Sequence, residues 1–285
     1  MRKRKTMRSV VALLLLGMFA ALVWLPVFLL LVHSLDGPQE ILDTFGAVLC
    51  EDGSTIKFHL FPNYPTLRGY VELLLDSPGF FVMFWNSCRQ VLPMLGGQLL
   101  VGVPAGWAFA RYEFPGKKII FYIYMLLMIL PFQVTMVSSY FVLHKMQLLD
   151  TEAAIVLPGI FATFSVFLIT KSFQNIPTPL LEAAAMDGAG EMRIFLHIAL
   201  PLAKPGIFAA MILSFLENWN AMEPAMTFLK TQQKWPLSLY LPNITSDNVG
   251  VAFCASVVML LPAVLLFLWG QSYLEEGIAA SGLKM

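Results

Sequence analysis

Long apolar stretches constrain this chain more than any other feature. Six of them approach the ~20 residues that a helix rising about 1.5 Å per residue needs to cross a hydrocarbon layer of about 30 Å. With 58% hydrophobic and 13% charged residues, the 285-residue chain has more apolar surface than a soluble core can bury. The sequence therefore predicts an all-α integral membrane protein, one domain over residues 1–285. The six predicted transmembrane helices are approximately Val10–Val32, Val91–Ala110, Ile119–Leu143, Ala153–Thr170, Ile207–Leu229 and Val251–Tyr273.

The basic residues predict the orientation of these spans, because cytoplasmic loops carry an excess of Lys and Arg. With the N-terminus inside, twelve Lys and Arg residues lie on the cytoplasmic side and five on the outer side, with Arg89 at a boundary. The first apolar run follows five of the twelve and is longer than a signal-peptide core, so we interpret it as a retained signal anchor. An even number of spans then places both termini in the cytoplasm of a multi-pass plasma-membrane protein.

Residues 178–205, which we call the elbow, are more polar than the spans around them. Thr178 can cap a helix whose first residue is Pro179, and Gly188 can close that helix in a left-handed turn. A second short helix is predicted to run to Pro201. The elbow is too polar for lipid and too small for a catalytic cleft. We expect a cytoplasmic helix–turn–helix that docks onto another protein.

Within the elbow, the tripeptide Glu182-Ala183-Ala184 is followed after three residues by Gly188, and after nine more by an Ile-Ala-Leu-Pro sequence. This spacing resembles the EAA loop of ABC importer permeases. The resemblance extends over most of the chain, including Asn86-Ser87 and Trp219-Asn220, and is to the smaller permease of maltose-type sugar importers. The elbow residues expected to couple to an ATPase are Glu182, Ala183, Ala184, Asp187, Gly188, Ile198, Leu200 and Pro201.

This resemblance implies a permease that works by alternating access. Besides the lipid membrane, it implies four kinds of partner: a second homologous permease, ATP-binding ATPase subunits, an extracytoplasmic solute-binding protein and a carbohydrate substrate. The elbow would sit in a cleft of one ATPase domain, where Glu182 would meet a basic group and Gly188 would permit the turn. Two alternatives stay open: an importer of another solute, such as a polyol, a glycerol phosphate or a peptide, or a polytopic membrane enzyme.

Polar residues cluster in the fifth predicted span. Carboxylates at membrane depth are costly and normally face a watery cavity or a partner. An aromatic ring can cover the C–H surface of a sugar while neighbouring amides and carboxylates bind its hydroxyl groups. We expect these residues to line the substrate pathway, with a polar contact between subunits as the alternative. They are Glu217, Asn218, Trp219 and Asn220, with Glu223 further along or at the outer interface.

Other functional motifs are missing from the sequence. There is no GxxxxGK[ST] phosphate loop, so ATP hydrolysis is expected on a separate subunit and the chain itself is not predicted to be an enzyme. The four histidines are far apart and form no metal-binding pattern. No cofactor, metal or nucleic acid is predicted.

The first outer loop, residues 33–79, carries a net charge of −5. Its turn signal at Glu51–Ser54 predicts a small hairpin over residues 48–58. The loop is interpreted as an extracytoplasmic insertion. Contact with the solute-binding protein and a purely solvated role are both left open.

Overall fold

The structure, a computed structural model, describes residues 2–49, 59–241 and 249–282, and these ranges contain helices and no strand. The chain divides into two compact units. The first comprises residues 1–80 and 241–261, and the second comprises residues 81–240 and 262–285. An all-α fold is therefore confirmed for the described residues.

The first unit contains the N-terminal helix and the segment that follows it. Its helices are α1 (Arg2–His33), α2 (Pro38–Leu49) and α3 (Arg68–Val71), and α3 continues into a wider π-helical turn at Glu72–Asp76. The predicted hairpin at residues 48–58 is not found at its start, where α2 extends through Leu49. The rest of that prediction lies outside the described residues.

The second unit holds most of the remaining helices, two of which begin or end in the first unit. Short 3₁₀ turns at Gln232–Lys234 and Leu237–Leu239 precede the last helix. The helices are α4 (Pro78–Arg111), α5 (Lys117–Ile129), α6 (Phe132–Lys145), α7 (Ala153–Ile160), α8 (Thr163–Gln174), α9 (Thr178–Met186), α10 (Glu191–Ile194), α11 (Leu200–Trp219), α12 (Glu223–Phe228) and α13 (Val249–Gly282).

Five described helical segments are long and apolar enough to cross a membrane, which confirms five of the predicted spans. They are Ala12–His33, Pro78–Arg111, Ala153–Gln174, Glu191–Trp219 and Val249–Gly277.

The third predicted span is broken rather than straight. Helices α5 and α6 meet at an angle of 108°, so they make a sixth span only if they are counted together. Pro131 explains the break, because a proline disfavours helical geometry in the residue before it. Leu130 accordingly has ψ 126°, and α6 begins only after the proline.

The fifth predicted span, Ile207–Leu229, had incorrect boundaries. Its helix begins further back, at Glu191, and ends at Trp219, where Asn220 leaves the helix. Glu223 lies on the separate helix α12, which has Pro224 in its first turn. Proline is well suited to the start of a helix, because the N–H that it lacks would have no acceptor within the helix there. Glu223 is therefore not a residue of the spanning helix.

The core of the second unit forms where α4, α8, α9 and α11 pack together. Trp107 of α4 makes edge-to-face contact with Phe173 of α8, with ring centroids 5.3 Å apart. Leu181 and Ile194 bury their side chains in the same cluster. The inner side of the elbow is thus part of this core, which fixes the position of its outer side.

Small residues let these helices approach closely. A Cβ atom at Gly106 would lie 2.7 Å from Ile169 Cγ2 and 3.1 Å from the Thr170 nitrogen, so α4 contacts α8 almost backbone to backbone. A Cβ atom at Gly206 would overlap the side chain of Ser172, which brings α11 equally close to α8. Helix α8 is therefore clamped between α4 and α11.

Candidate functional site

The elbow turns at Gly188, whose φ of +85° lies in the left-handed region. The N–H of Ala189 donates to the Ala184 carbonyl and the N–H of Gly188 donates to the Ala185 carbonyl, both at 3.0 Å. These two bonds form a Schellman motif, and Ala184 and Ala189 also pack on the same hydrophobic cluster. No atom lies within 4 Å of where a Gly188 Cβ would be, so φ rather than space makes a side chain unfavourable.

The first turn of the elbow differs from the sequence prediction. Helix α9 begins at Thr178 itself, and no side chain caps its N-terminus. The Thr178 hydroxyl instead accepts a hydrogen bond from Arg111 Nη1 at 3.4 Å. The end of α4 is thereby connected to the start of the elbow.

A second bond joins the end of α4 to the elbow. The Tyr112 hydroxyl donates to Glu191 Oε2 at 2.9 Å. This hydrogen bond to a carboxylate, aided by some burial, raises the pKa of Tyr112, so the phenol stays protonated and keeps its donor. The first residue of the elbow and Glu191, just after its turn, are therefore tied to the end of α4 and to the residue that follows it.

The eight predicted coupling residues divide into two groups. Ala184, Ile198 and Leu200 are half-buried and pack against the core cluster. The others are exposed: Glu182, Ala183, Asp187, Gly188 and Pro201. The exposed group is available for docking, and the half-buried group holds the elbow in place.

Two methionines that the sequence analysis missed extend the exposed surface of the elbow. Met186 is 88% exposed and Met192 is 68% exposed, one on each side of the turn. Such exposure of large apolar side chains is typical of a surface that another protein covers, and methionine adapts well to partner surfaces. The sequence could have identified these methionines as exposed, because they lie beside the charged residues Asp187 and Glu191 in a segment that was predicted to be in water.

The second half of the elbow is not a separate short helix ending at Pro201, as predicted. One helical segment of 29 residues runs from Glu191 to Trp219. It widens into a π-helical turn at Phe195–Ala199, immediately before Pro201. A proline removes one helix hydrogen bond and crowds the preceding turn, and a wider turn relieves that crowding. At about 1.5 Å per residue, the segment connects the elbow to a point about 43 Å away.

At the far end of this segment lies a cavity of about 200 Å³ within the second unit, which we call the Asn218 cavity. The Asn218 amide donates to the Ser214 carbonyl at 2.8 Å, which fixes its position on the helix. The cavity walls are mostly apolar, with residues such as Met94 and Pro158, and carry four polar side chains, Gln90, Thr135, Ser139 and Asn218. The cavity offers hydroxyl and amide groups in a mostly apolar setting.

The other predicted pathway residues do not line this cavity. Trp219 is buried, stacked on Phe215 at 5.2 Å between ring centroids and in edge contact with Phe84 at 5.8 Å. Glu217 is exposed, and the Asn220 amide donates back to the Leu216 carbonyl at 2.9 Å. Of the four predicted residues, the structure brings only Asn218 to the cavity.

Glu223 lies outside the cavity and connects helix α12 to helix α6. Its Oε1 accepts a hydrogen bond from Gln133 Nε2 at 2.6 Å, which joins α12 to α6. This carboxylate therefore links two helices that also contribute residues to the cavity, Thr135 from α6 and Ala225 from α12.

Asp150 anchors the segment after α12. Its carboxylate accepts hydrogen bonds from the Thr231 hydroxyl at 2.6 Å, the Thr231 N–H at 2.9 Å and the Lys230 N–H at 3.0 Å, with Lys234 Nζ nearby at 3.3 Å. The Thr231 hydroxyl bond, then the backbone bonds and Lys234, lower the pKa of Asp150 well below its usual range. The anchor is therefore a carboxylate throughout the neutral range.

The same segment is also bound to the start of α4. The Asn86 amide donates to the Gln233 carbonyl at 2.7 Å, the Gln90 amide donates to the Lys234 carbonyl at 3.0 Å, and the Leu237 N–H donates to the Ser87 hydroxyl at 2.8 Å. Asn86 and Ser87 were noted in the sequence without a structural role. Their role here is to hold one wall of the Asn218 cavity.

Comparison with known proteins supports one family. The family model described as binding-protein-dependent transport system inner membrane component matches residues 102–279. An arabinooligosaccharides transport system permease protein of Halalkalibacterium halodurans is 29% identical and covers 99% of each chain. A probable ABC transporter permease protein of Pyrococcus horikoshii is 33% identical over 78% of this chain and 82% of that protein.

A similar fold is found among solved structures, for example in a chain from the crystal structure of a bacterial ABC transporter involved in the import of the acidic polysaccharide alginate. The TM-score is 0.78 with 22% sequence identity, over 94% of this chain and 96% of that chain.

Proposed function

The chain belongs to the family of binding-protein-dependent transport system inner membrane components, and from this we propose that it is the permease subunit of an ATP-driven carbohydrate importer. The observation that carries the substrate class is the relative named for arabinooligosaccharide transport, which aligns over 99% of both chains. A cavity with amide and hydroxyl groups suits a polyhydroxylated solute. Import of another solute is the competing proposal.

The permease would work with four kinds of partner: a second homologous permease, two ATPase subunits, an extracytoplasmic binding protein and the sugar itself. The sequence contains no phosphate-binding loop of the GxxxxGK[ST] kind, so the free energy for transport would come from the ATPase subunits.

We propose that the elbow docks into a cleft of one ATPase subunit. The outer side of the elbow presents an exposed carboxylate at Glu182 and exposed thioethers at Met186 and Met192. Its inner side is fixed by the core cluster and by the two bonds to the end of α4. A surface that is exposed outside and rigidly held inside can transmit a displacement without deforming.

The continuous segment from Glu191 to Trp219 supplies the path for that displacement. Movement at the elbow would reach the Asn218 cavity because both are parts of one helical segment. ATP binding can shift the permease between two states only if the ATPase interacts differently with each of them. We propose that the position of the elbow is the difference that the ATPase detects.

The orientation is testable with single cysteines in a chain whose native cysteines are replaced. Tyr64 is 82% exposed in the first outer loop and Met186 is 88% exposed on the elbow. Tyr64→Cys should react with an impermeant thiol reagent applied outside intact cells. In cells that lack the ATPase subunit, Met186→Cys should react only after the membrane is permeabilised. The reverse pattern would contradict cytoplasmic termini and a cytoplasmic elbow.

The substrate is testable by reconstituting the chain in vesicles with the permease, ATPase and binding protein encoded beside it. Labelled arabinooligosaccharides, maltose, glycerol 3-phosphate and a dipeptide would be offered separately. We expect uptake of an oligosaccharide that needs both ATP and the binding protein. Uptake of glycerol phosphate or peptide alone would overturn the carbohydrate proposal. Turnover of a lipid substrate by the isolated chain would favour the membrane-enzyme alternative.

A further inference from the structure

Three side chains that are distant in the sequence converge in the first unit. His33 ends α1, Asp36 follows it, and His59 precedes α3. Asp36 Oδ2 lies 2.7 Å from His33 Nδ1 and 3.3 Å from His59 Nε2. One ligand atom from each of the three side chains falls within 4.8 Å of the other two. Two imidazoles and a carboxylate therefore face a common point.

The cluster is shielded from water. The Asp36 side chain is fully buried, and the His33 and His59 side chains are 4% and 18% exposed. Among the buried polar side-chain atoms of the described residues, only Asp36 Oδ1 lacks a hydrogen-bond partner. A buried carboxylate oxygen without a partner is costly, because its water has been removed and not replaced.

We propose that His33, Asp36 and His59 bind a divalent transition-metal ion of the zinc type. Imidazole nitrogens and a carboxylate oxygen are among the ligands that zinc accepts, and three protein ligands leave a fourth position for water. Such an ion would give Asp36 Oδ1 a positive partner and would hold the end of α1 to the segment before α3.

The distances fit this chemistry with a small adjustment. Ligand atoms around a four-coordinate zinc at about 2.0–2.1 Å stand roughly 3.3 Å from one another. The 3.3 Å separation between His59 Nε2 and Asp36 Oδ2 already has that value. The shorter His33 contact is a hydrogen bond in this structure. It would open by roughly 0.6 Å, or the ion would bind the free Oδ1 instead.

The groups around the cluster also suit a metal site. His59 Nδ1 lies 3.0 Å from the Thr44 hydroxyl, and ligating histidines usually donate their other N–H to such a neighbour. The His33 ring is packed against Phe45 and Phe253, with centroids 5.4 and 5.7 Å away. The Thr44 hydroxyl can accept the Nδ1–H of the His59 tautomer that leaves Nε2 to bind the ion, and the aromatic rings fix the orientation of the His33 imidazole.

A cavity in the same unit borders the cluster. It has a volume of about 400 Å³ and is lined by Asp36 and by further polar groups at Ser34, Thr66, Arg68 and Glu72. The alternative is a cluster held together by hydrogen bonds alone, in which Asp36 accepts an N–H from each imidazole.

The test is the zinc content of the purified permease complex, prepared with an affinity tag that contains no histidine. After equilibration with Zn²⁺ and dialysis against zinc-free buffer, we expect about one zinc per permease chain to be retained. The His33→Gln/His59→Gln double variant should lose that zinc. His144→Gln removes an exposed histidine outside the cluster and should retain it. Equal zinc content in the unmodified complex and in the double variant would overturn the proposal.

Two further measurements test zinc binding at the cluster if the double variant does not fold. Thr44→Val keeps the shape of its side chain but removes the hydroxyl, and it should weaken zinc affinity by roughly tenfold to a hundredfold. In the unmodified complex, zinc should protect His33 and His59, but not His144, from acylation by diethyl pyrocarbonate. Labelling of His33 and His59 that is independent of zinc would show a hydrogen-bonded cluster only.

Discussion

The two ends of the helical segment from Glu191 to Trp219 are built differently. At the elbow end, the turn is closed by backbone bonds between residues three to five apart, and the key side chains are exposed. At the cavity end, the neighbouring segment is held by side chains from α4 and by Asp150, which lie far away in the sequence. The turn therefore has its shape from local bonds, although Thr178 and Glu191 beside it also bind the end of α4, whereas the cavity wall depends on distant side chains for its position.

The largest effect is expected from breaking the turn itself. Gly188→Val forces a β-branched residue to a φ of +85°, at a cost of at least about 1–2 kcal/mol, or roughly tenfold in occupancy of the native turn. Solute-stimulated ATP hydrolysis and uptake in the reconstituted complex should fall by at least that factor. Gly190→Val is the matched control, because Gly190 has an ordinary φ of −69° and open space around it. Equal loss in both variants would show that φ is not the cause.

The next largest effect is expected at the charge on the outer side of the elbow. Glu182→Lys should weaken ATPase association, because it would place a positive charge against the basic group that Glu182 is expected to meet. Like charges opposed at an interface weaken binding substantially. Glu182→Gln keeps the size of the side chain and should have an intermediate effect. Co-purification of the ATPase over a range of salt concentrations measures both. Full retention of the ATPase by the lysine variant would show that Glu182 is not part of the interface.

At the cavity end, Asp150→Asn should loosen the anchored segment without unfolding the permease. Hydrogen exchange at the Lys230 and Thr231 amides, which both donate to Asp150, should become faster. Glu152→Gln neutralises a neighbouring carboxylate and serves as the control. Unchanged exchange in Asp150→Asn would mean that the segment is held by its bonds to α4 alone.

The pH dependence of this anchor follows from the lowered pKa of Asp150. A carboxylate whose pKa is lower in the folded state stabilises that state fully at pH values above its unfolded pKa, near 3.9. This stabilisation is lost as the pH falls through the lower folded pKa. Protection of the two amides, corrected for intrinsic exchange rates, should therefore be constant from neutral pH to about pH 4 and decline only in stronger acid. A decline near pH 6 would point to a different titrating group.

The smallest effect is expected from the cavity side chain. Asn218→Ala should lower solute uptake by roughly threefold to tenfold, the usual value of one hydrogen bond, while the complex still assembles. Asn220→Ala is the matched control because Asn220 carries the same amide, also bonded to its own helix, but does not line the cavity. Equal uptake in the two variants would contradict a pathway role for Asn218.

The difference between local and long-range contacts also explains which parts of the fold could be predicted from the sequence. Gly188 and the apolar runs are local signals, and they predicted the turn and the existence of five spans, though not all of their boundaries. The end of the fifth helix at Trp219 was missed, because hydrophobicity continues past Asn220 while the backbone does not. The third span was predicted as one helix although it contains Pro131, and the 108° angle depends on what α5 and α6 pack against.

Long-range contacts were beyond the sequence. Nothing near Asp150 indicates that Thr231 will bind its carboxylate, and nothing near His33 indicates that His59 will approach it. Trp219 was expected to face a sugar because of its residue type. The structure packs it between Phe84 and Phe215 instead. Residue type suggests a chemistry, and only the fold decides which side chains reach the cavity.

The most direct test of the link between the elbow and the cavity uses Asn218→Cys in a complex whose native cysteines are replaced. The rate of its modification by a small thiol reagent would be compared with and without trapped ATP, in Gly188→Val and Gly190→Val backgrounds. We expect the rate to change severalfold with nucleotide in the Gly190→Val background and to be unresponsive in Gly188→Val. A rate that ignores nucleotide in both backgrounds, or responds equally in both, would contradict transmission from the elbow through the segment Glu191–Trp219.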